Sequence, residues 1–329
     1  MAQQFPHALR ARIEEAVQNS QFRDLISRSA SDVSERYRRV SHTLGGSLQM
    51  KNLSEAMAYL VSRLPATFAA NARVMEEVAR LLPDFFPKKI LDVGAGPATA
   101  SLAAYMQWNA EQFTLLEPNK FLRLVGQDFI VPEISGEVSW IDKDLSGVSL
   151  FKDDAADLVL ASYVLNEVGQ KDWGKVIADL WSKCRGALIV VETGTPHGFS
   201  VVHAARESAA KLDGCHVIGP CPQTGVCPLA GDENRWCHFS VRVERSKYHK
   251  KMKDGAQLGY EDEKFSWVAL SRFPATLPAY RVIGHPSLGK VIQLQVCGGD
   301  GVAKTLEVAK SSSHYKQARK CSWGDALYD

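Results

Sequence analysis

The residues best suited to chemistry lie in a glycine-rich turn that follows a short apolar run. The run Ile90–Val93 leads into Gly94-Ala95-Gly96-Pro97, and an acidic residue, Glu117, ends the next apolar run. Glycine lets the backbone approach a ligand closely, and a helix that begins after such a turn presents unpaired N–H groups to an anionic group. A carboxylate at the position of Glu117 can accept both hydroxyls of a ribose. The pattern predicts a nucleotide-type cofactor site that includes Asp92, Gly94, Gly96 and Glu117.

Two later segments favour S-adenosylmethionine over a nicotinamide cofactor, which the turn alone would also fit. Ala98 replaces the third glycine of a dinucleotide motif. Asp144 closes the third predicted strand, where methyltransferases of this type place an acid against adenine, and Asp142 is the less favoured choice. The strand that begins at Asp157 resembles the segment on the methyl-transfer side of such pockets. No partner site for a nicotinamide is found, so an oxidoreductase is the weaker alternative.

Candidate catalytic residues stand just after that strand. They are Asn166 and Glu167. Asn166 could bind an exocyclic amine, although capping the following helix is the simpler role for it. The segment lacks the Asn/Asp-Pro-Pro-aromatic motif of amine methylation, and the chain shows no cysteine placed for attack on cytosine. The sequence therefore predicts cofactor binding more strongly than it predicts methyl transfer.

A second group of reactive residues is a cysteine- and proline-rich stretch. The chain has 7 cysteines, an odd number that argues against a fully paired disulfide framework and points to metal binding or catalysis. Cys221 and Cys227 each precede a proline, a pair that also occurs in iron–sulfur proteins, and Cys237 follows. A tetrahedral Zn²⁺ or a [4Fe–4S] cluster needs a fourth ligand. The sequence offers His238, Cys215 or Cys297, whereas Cys184 and Cys321 have the character of plain buried thiols.

The elements that must position these residues follow from periodicity. Apolar residues at helical spacing predict helices between about Leu9 and Leu82, and from Lys89 strands alternate with helices, as in a doubly wound parallel sheet. A further helix is predicted at His203–Leu212. We predict four regions: a helical N-terminal region, a Rossmann-like cofactor domain, a cysteine-rich and basic insertion, and a β-rich segment that completes the sheet. They span residues 1–83, 84–200, 201–260 and 261–329.

Charge and hydropathy limit the possible partners. The 39 basic and 37 acidic residues leave a net charge of +2, so total charge selects no partner. Two basic segments could follow RNA phosphates and stack a base, although a solvated face is the simpler explanation. They contain Arg242, Arg245, Lys247, Tyr248, Lys250, Lys251 and Lys253, and then Lys310, Lys316, Arg319, Lys320 and Trp323. With no long apolar run and no signal-type N-terminus, we expect a cytoplasmic protein without a membrane partner, and favour a monomer.

Six segments together resemble one protein family. They are Ala58–Thr67, Asp92–Pro97, Glu192–Pro196, Cys221-Pro with Cys227-Pro, Trp236–Ser240 and Ala318–Asp325. The chain is similar to the methyltransferase-like proteins of small-ribosomal-subunit assembly, which comprise the mitochondrial methyltransferase-like-seventeen proteins and bacterial relatives.

The resemblance implies a class I S-adenosylmethionine methyltransferase fold with an inserted [4Fe–4S] site, for which Zn²⁺ is the alternative. The implied cluster ligands are Cys221, Cys227, Cys237 and Cys297. It further implies action on or beside small-subunit ribosomal RNA. Two functions remain open: a methyltransferase, or a non-catalytic assembly factor whose old cofactor pocket is vestigial.

Overall fold

Helices precede the sheet, and three of them have bounds within the described residues. The computed structural model describes residues 4–21, 23–26, 29, 50–145, 155–245, 250 and 259–328. The helices are α1 (His7–Asn19), α2 (Leu53–Ser62) and α3 (Leu64–Leu81). Asn52 caps α2, because its side chain accepts the Glu55 N–H. Pro65 lies in the first turn of α3, where a missing N–H costs nothing, so it is compatible with the start of this helix.

The large sheet has the topology expected of a doubly wound α/β protein. Its strand order is β3-β2-β1-β4-β5-β8-β6, with β7 paired to β8. Strands β1 to β5 are parallel, and β8 runs antiparallel to β5, β6 and β7. The order reverses between β1 and β4, which is where such sheets bind ligands. The predicted Rossmann-like α/β fold is confirmed. The strands are β1 Lys89–Val93, β2 Gln112–Leu116, β3 Glu137–Ile141, β4 Ala156–Ser162, β5 Cys184–Thr193, β6 His216–Gly219, β7 Phe239–Glu244 and β8 Tyr260–Ser271.

Helices cover both faces of this sheet. They are α4 (Thr99–Trp108), α5 (Lys120–Val125), α6 (Trp173–Ser182) and α7 (Pro196–Ser208). Alternate strand residues face opposite cores: Ile90 packs with α3 and α4, while Leu91 packs with α6 and α7. Helix α7 begins seven residues before the predicted His203, because the Thr195 side chain caps it by accepting the Gly198 N–H at 3.1 Å. A Thr-Pro pair is a known helix start.

A second, smaller sheet follows the large one. It contains β9 (Tyr280–Val282), β10 (Val291–Gly298), β11 (Ala303–Ala309) and β12 (Ala326–Leu327) in the order β11-β10-β9-β12. A short helix, α8 (Tyr315–Ala318), packs on it. Of the segment 261–329, therefore, only β8 completes the large sheet. The four domain limits stay predictions.

Within the described ranges, none of the helices is both long enough and apolar enough to cross a membrane.

Candidate cofactor site and cysteine cavity

A cavity of about 910 Å³ lies at the carboxyl ends of β1, β2 and β4. All five predicted cofactor residues line it: Asp92, Gly94, Gly96, Glu117 and Asp144. The topology explains why they meet, since parallel strands bring their carboxyl ends to one edge of a sheet. Asp142, the less favoured acid, is exposed instead and forms an ion pair with Arg123 at 2.9 Å.

The two glycines of the turn have different roles. Both have positive φ, +68° for Gly94 and +56° for Gly96. A Cβ on Gly94 would lie 2.3 Å from Val164 Cγ2, whereas a Cβ on Gly96 would have nothing within 4 Å. Gly94 is therefore needed for packing beneath the turn, and Gly96 leaves open space at the cavity wall. Ala98, which replaces the third glycine, adopts φ +71° just before α4.

Two buried acids hold this turn. The Glu117 carboxylate accepts the N–H groups of Gly96 and Asn119, both at 2.8 Å, and burial raises its pKa to about 7. The Asp92 carboxylate accepts the N–H and the hydroxyl of Ser101 at 3.1 and 2.7 Å, and burial raises its pKa to about 6. Among the described residues, Asp92 Oδ1 is buried without a hydrogen-bond partner. A ligand that donates hydrogen bonds would complete this wall, as the hydroxyl and amino groups of S-adenosylmethionine can.

The structure separates the two candidate catalytic residues. Glu167 lines the cavity, but Asn166 is buried outside its lining. The Asn166 N–H donates to Glu192 Oε1 at 3.2 Å, and burial raises the pKa of Glu192 to about 8. Asn166 Oδ1 and Glu192 Oε2 have no hydrogen-bond partner within the described residues. Tyr163, which also lines the cavity, has φ +58°. This is a strained backbone conformation of the kind that clusters at functional sites.

Sequence reasoning missed the contribution of the N-terminal helices to this cavity. Tyr59 of α2 and Thr67 and Asn71 of α3 line it. The Ser162 hydroxyl donates to Asn71 Oδ1 at 3.0 Å, which ties α3 to the end of β4. Thr67 and Asn71 are polar residues one turn apart in an otherwise apolar helix face, and that spacing was a signal available in the sequence.

The four cysteines implied by the resemblance line a second cavity together. Cys221, Cys227, Cys237 and Cys297 all face it, and the two other candidates for a fourth ligand, Cys215 and His238, are not among its lining residues. Cys221 and Cys227 lie in the loop after β6, Cys237 precedes β7, and Cys297 lies in β10. Among the residues that the structure describes, no three His, Cys, Asp or Glu side chains are arranged as a metal-binding group. The four sulfurs therefore line one cavity but do not converge on a single point, as they would around a bound metal ion.

Burial, with repulsion from the neighbouring sulfurs, raises the pKa of three of the cavity thiols: Cys221, Cys237 and Cys297. Burial raises the pKa of Cys237 well above its ordinary value, and the other three sulfurs raise it further. Burial likewise raises the pKa of Cys297 to about 12. Burial also raises the pKa of Cys184 to about 12, which fits the plain buried thiol expected there. A metal ion that replaces the protons of the four cavity thiols would offset the repulsion among the thiolates so formed.

The basic residues of the two segments differ in their surroundings: some are paired, some are exposed, and some lie outside the described residues. Arg242 and Arg245 form ion pairs with Asp262 and Glu261 of β8, both at 3.0 Å, so their charges are already matched. Lys247, Tyr248, Lys251 and Lys253 lie outside the described residues, while Lys250 is described and half-buried. The Trp323 ring lies between His238 and His285, with ring centroids 4.7 and 4.8 Å away. The C-terminal charges are exposed: Lys310, Lys316, Arg319 and Lys320.

Comparison with known proteins places the chain in a family. The family model described as "Mitochondrial small ribosomal subunit Rsm22" matches residues 53–328. The chain belongs to the Rsm22 family. The Rsm22 match includes the cofactor turn, both buried acids and all four cavity cysteines, whereas α1 lies before it.

Two curated relatives and one solved structure are similar to this Rsm22-family chain. "Rsm22-cox11 tandem protein 1, mitochondrial" of Schizosaccharomyces pombe is 25% identical over 328 residues, which cover 82% of this chain and 43% of that protein. The human "Ribosome assembly protein METTL17, mitochondrial" is 26% identical over 296 residues, covering 83% and 62%. The chain thus spans less than two thirds of either relative. A putative RNA methyltransferase from Pyrococcus horikoshii aligns with TM-score 0.42 and 16% identity, covering 73% of this chain and 96% of that one.

Proposed function

We propose that this Rsm22-family chain binds S-adenosylmethionine and acts with small-subunit ribosomal RNA during ribosome assembly. The observation that carries the cofactor proposal is the single cavity shared by Asp92, Gly94, Gly96, Glu117 and Asp144. The ribosomal part rests on the family and on the human relative, whose name describes a ribosome assembly protein.

In this proposal each acid has a separate task. Glu117 would accept the ribose hydroxyls, the turn at Gly94 and Gly96 would hold the amino-acid part, and Asp144 would bind the adenine. Bound S-adenosylmethionine would supply an electrophilic methyl group. Transfer to a nucleophilic acceptor needs little acid–base help, because holding the two reactants in line provides much of the rate. Glu167 is the candidate catalytic group on the cavity wall.

A second function, that of a non-catalytic assembly factor, has one observation in its favour. Asn166, the residue suited to binding an exocyclic amine, is buried against Glu192 and does not line the cavity. One experiment separates the two functions: small ribosomal subunits or their RNA are incubated with the protein and methyl-labelled S-adenosylmethionine. Label in the RNA that is lost in Glu167→Gln supports the enzyme. Saturable cofactor binding without label supports the assembly factor, and a failure to bind the cofactor contradicts both the enzyme and the proposed cofactor site.

We infer further that Cys221, Cys227, Cys237 and Cys297 hold a [4Fe–4S] cluster, with Zn²⁺ as the alternative. Their shared cavity supports this, and four sulfur donors suit either centre. Protein purified without oxygen is expected to be brown, to bleach with dithionite, and to lose iron in Cys221→Ser and Cys297→Ser. Cys215→Ser, outside the cavity lining, is the matched control and should retain iron. Colourless protein with stoichiometric zinc would contradict the cluster.

The exposed C-terminal charges are the proposed contact with RNA phosphates, because Arg242 and Arg245 are already paired. We keep the predictions of a monomer and of a cytoplasmic location for this chain. Both named relatives are called mitochondrial, so fractionation of cells that express the full-length protein tests the location directly.

A further inference from the structure

The charged groups that line the cysteine cavity are all basic. Among its described lining residues are Arg206 from α7, Arg281 from β9 and His203, and none is acidic. Arg206 is 6% exposed and Arg281 is 1% exposed. Charged side chains are almost never buried this deeply unless they have a partner. Two buried guanidinium groups on one cavity wall therefore need an explanation.

Arg281 is placed by the second sheet. It lies directly opposite Cys297 in the antiparallel pairing of β9 with β10, so the two side chains share a face of the sheet. Its Nε donates to the Pro220 carbonyl at 2.8 Å, and its Nη1 donates to Glu77 Oε2 at 3.1 Å. Its Nη2 is buried, and none of the described residues accepts a hydrogen bond from it.

Arg206 holds the loop that carries two of the cysteines. Its Nη2 donates to the carbonyls of Gln223 and Gly225, and its Nη1 pairs at 2.6 Å with Glu207, whose side chain is half exposed. Its Nε is buried and has no hydrogen-bond partner in the part of the chain that the structure describes. Both arginines thus keep a buried donor without an acceptor beside the thiols, and such donors cost stability until an acceptor arrives.

We propose that Arg206 and Arg281 determine what this cavity accepts, by selecting a negatively charged thiolate centre. The proposal rests on the four-cysteine ligand set proposed above. Each thiol releases its proton to solvent as its sulfur–metal bond forms, so a divalent ion held by four thiolates carries a double negative charge. The two guanidinium groups supply two positive charges, and their free N–H groups can donate to the sulfurs. The same charge balance holds for the oxidised [4Fe–4S] core with four thiolates.

Cobalt(II) is a suitable probe, because its absorption reports how many thiolates bind it. The full-length protein is stripped of metal, kept reduced without oxygen, and titrated with Co²⁺. The wild type should give a tetrathiolate spectrum. Arg206→Gln should bind Co²⁺ about tenfold more weakly or worse, the usual effect of removing a group that supports metal ligands. Arg206→Lys keeps the charge and should recover most of the affinity. Lys211→Gln, which removes an exposed charge nearby, is the matched control and should bind as the wild type does.

Glu77→Gln tests the charge argument in the opposite direction. Glu77 does not line the cavity but partly neutralises Arg281. Removing its charge should tighten Co²⁺ binding, a gain that misfolding cannot produce. Wild-type affinity in Arg206→Gln, or weaker binding in a folded Glu77→Gln, would overturn the proposal and leave the four-cysteine site intact. Failure of the wild type to give a tetrathiolate spectrum would instead refute the ligand set itself.

Discussion

Alanine substitutions at the two glycines of the cofactor turn should have different effects. Both residues have positive φ, so either alanine costs about 1 kcal/mol in backbone strain. At Gly96 nothing else is added, since the new Cβ has no neighbour within 4 Å. At Gly94 the Cβ would meet Val164 at 2.3 Å, and overpacking of this kind costs roughly 1–3 kcal/mol more. Gly94→Ala should therefore be destabilised by about 2–4 kcal/mol in total.

The effect on cofactor affinity should have the opposite order to the effect on stability. The Cβ of Gly96→Ala would occupy open space at the wall of the proposed cofactor cavity, so we expect a loss of at least about tenfold in S-adenosylmethionine affinity, or ~1.4 kcal/mol. Thermal unfolding measures the first effect, with a shift of roughly 2–4 °C per kcal/mol, and isothermal titration calorimetry measures the second. Gly301→Ala is the matched control, because Gly301 has φ +78° and an equally open Cβ position outside the cavity lining.

Three results would refute this reasoning. If Gly96→Ala binds the cofactor as tightly as Gly301→Ala, the turn does not form the binding wall. If Gly94→Ala unfolds at the same temperature as Gly96→Ala, the contact with Val164 is not tight. Adding Val164→Ala removes two of the three close atoms and should restore part of the stability lost in Gly94→Ala. No recovery would assign that loss to the backbone alone.

Three further predictions concern the pH dependence of cofactor affinity, the pH dependence of stability and the salt dependence of RNA binding. Because the unliganded Glu117 has a pKa of about 7 and ribose hydroxyls favour its ionised form, cofactor affinity should rise from pH 6 to 8; an equal rise in Glu117→Gln would contradict this. Burial raises the pKa of Glu192 from 4.5 to about 8, so the folded state holds a proton that the unfolded state releases. The contribution of Glu192 to stability should fall as pH rises through that window, by at most about 5 kcal/mol. Denaturant unfolding should show a smaller fall in Glu192→Gln, in which Asp92 and Glu117 still contribute. Neutralising Lys310, Lys316, Arg319 and Lys320 together should reduce the log–log salt slope of RNA binding by roughly 3; an unchanged slope in that variant, together with a reduction of roughly 1 in Arg242→Gln, would locate the contact elsewhere.

The parallel part of the fold was readable from the sequence because its signals are local. Short apolar runs, the turn at Gly94 and an acid at each strand end are contained within a few residues of one another. Strands β6 and β7 were missed because each is only four to six residues long and lies in polar, proline-rich sequence. Such strands exist through pairing with β8, and no local pattern carries that information.

The two candidate sites also differ in how far local sequence reveals them. The five proposed cofactor residues lie at or just after the carboxyl ends of neighbouring parallel strands, so the topology brings them together. Arg281 gave no such signal, since its place beside Cys297 depends on the register of β9 against β10. The neutralisation of Arg242 by Asp262 is likewise a cross-strand contact. Long-range strand register was the missing information in both cases.

Helix α3 sets a limit on how this chain can vary in length. Asn71 lines the cofactor cavity, and Glu77 binds Arg281 beside the cysteine cavity. The two side chains are six residues apart on one uninterrupted helix, or roughly 9 Å along its axis. One residue inserted or deleted between them would rotate one end by about 100° relative to the other and withdraw one of the two side chains from its cavity. Relatives that keep both cavities should therefore conserve the spacing of these positions.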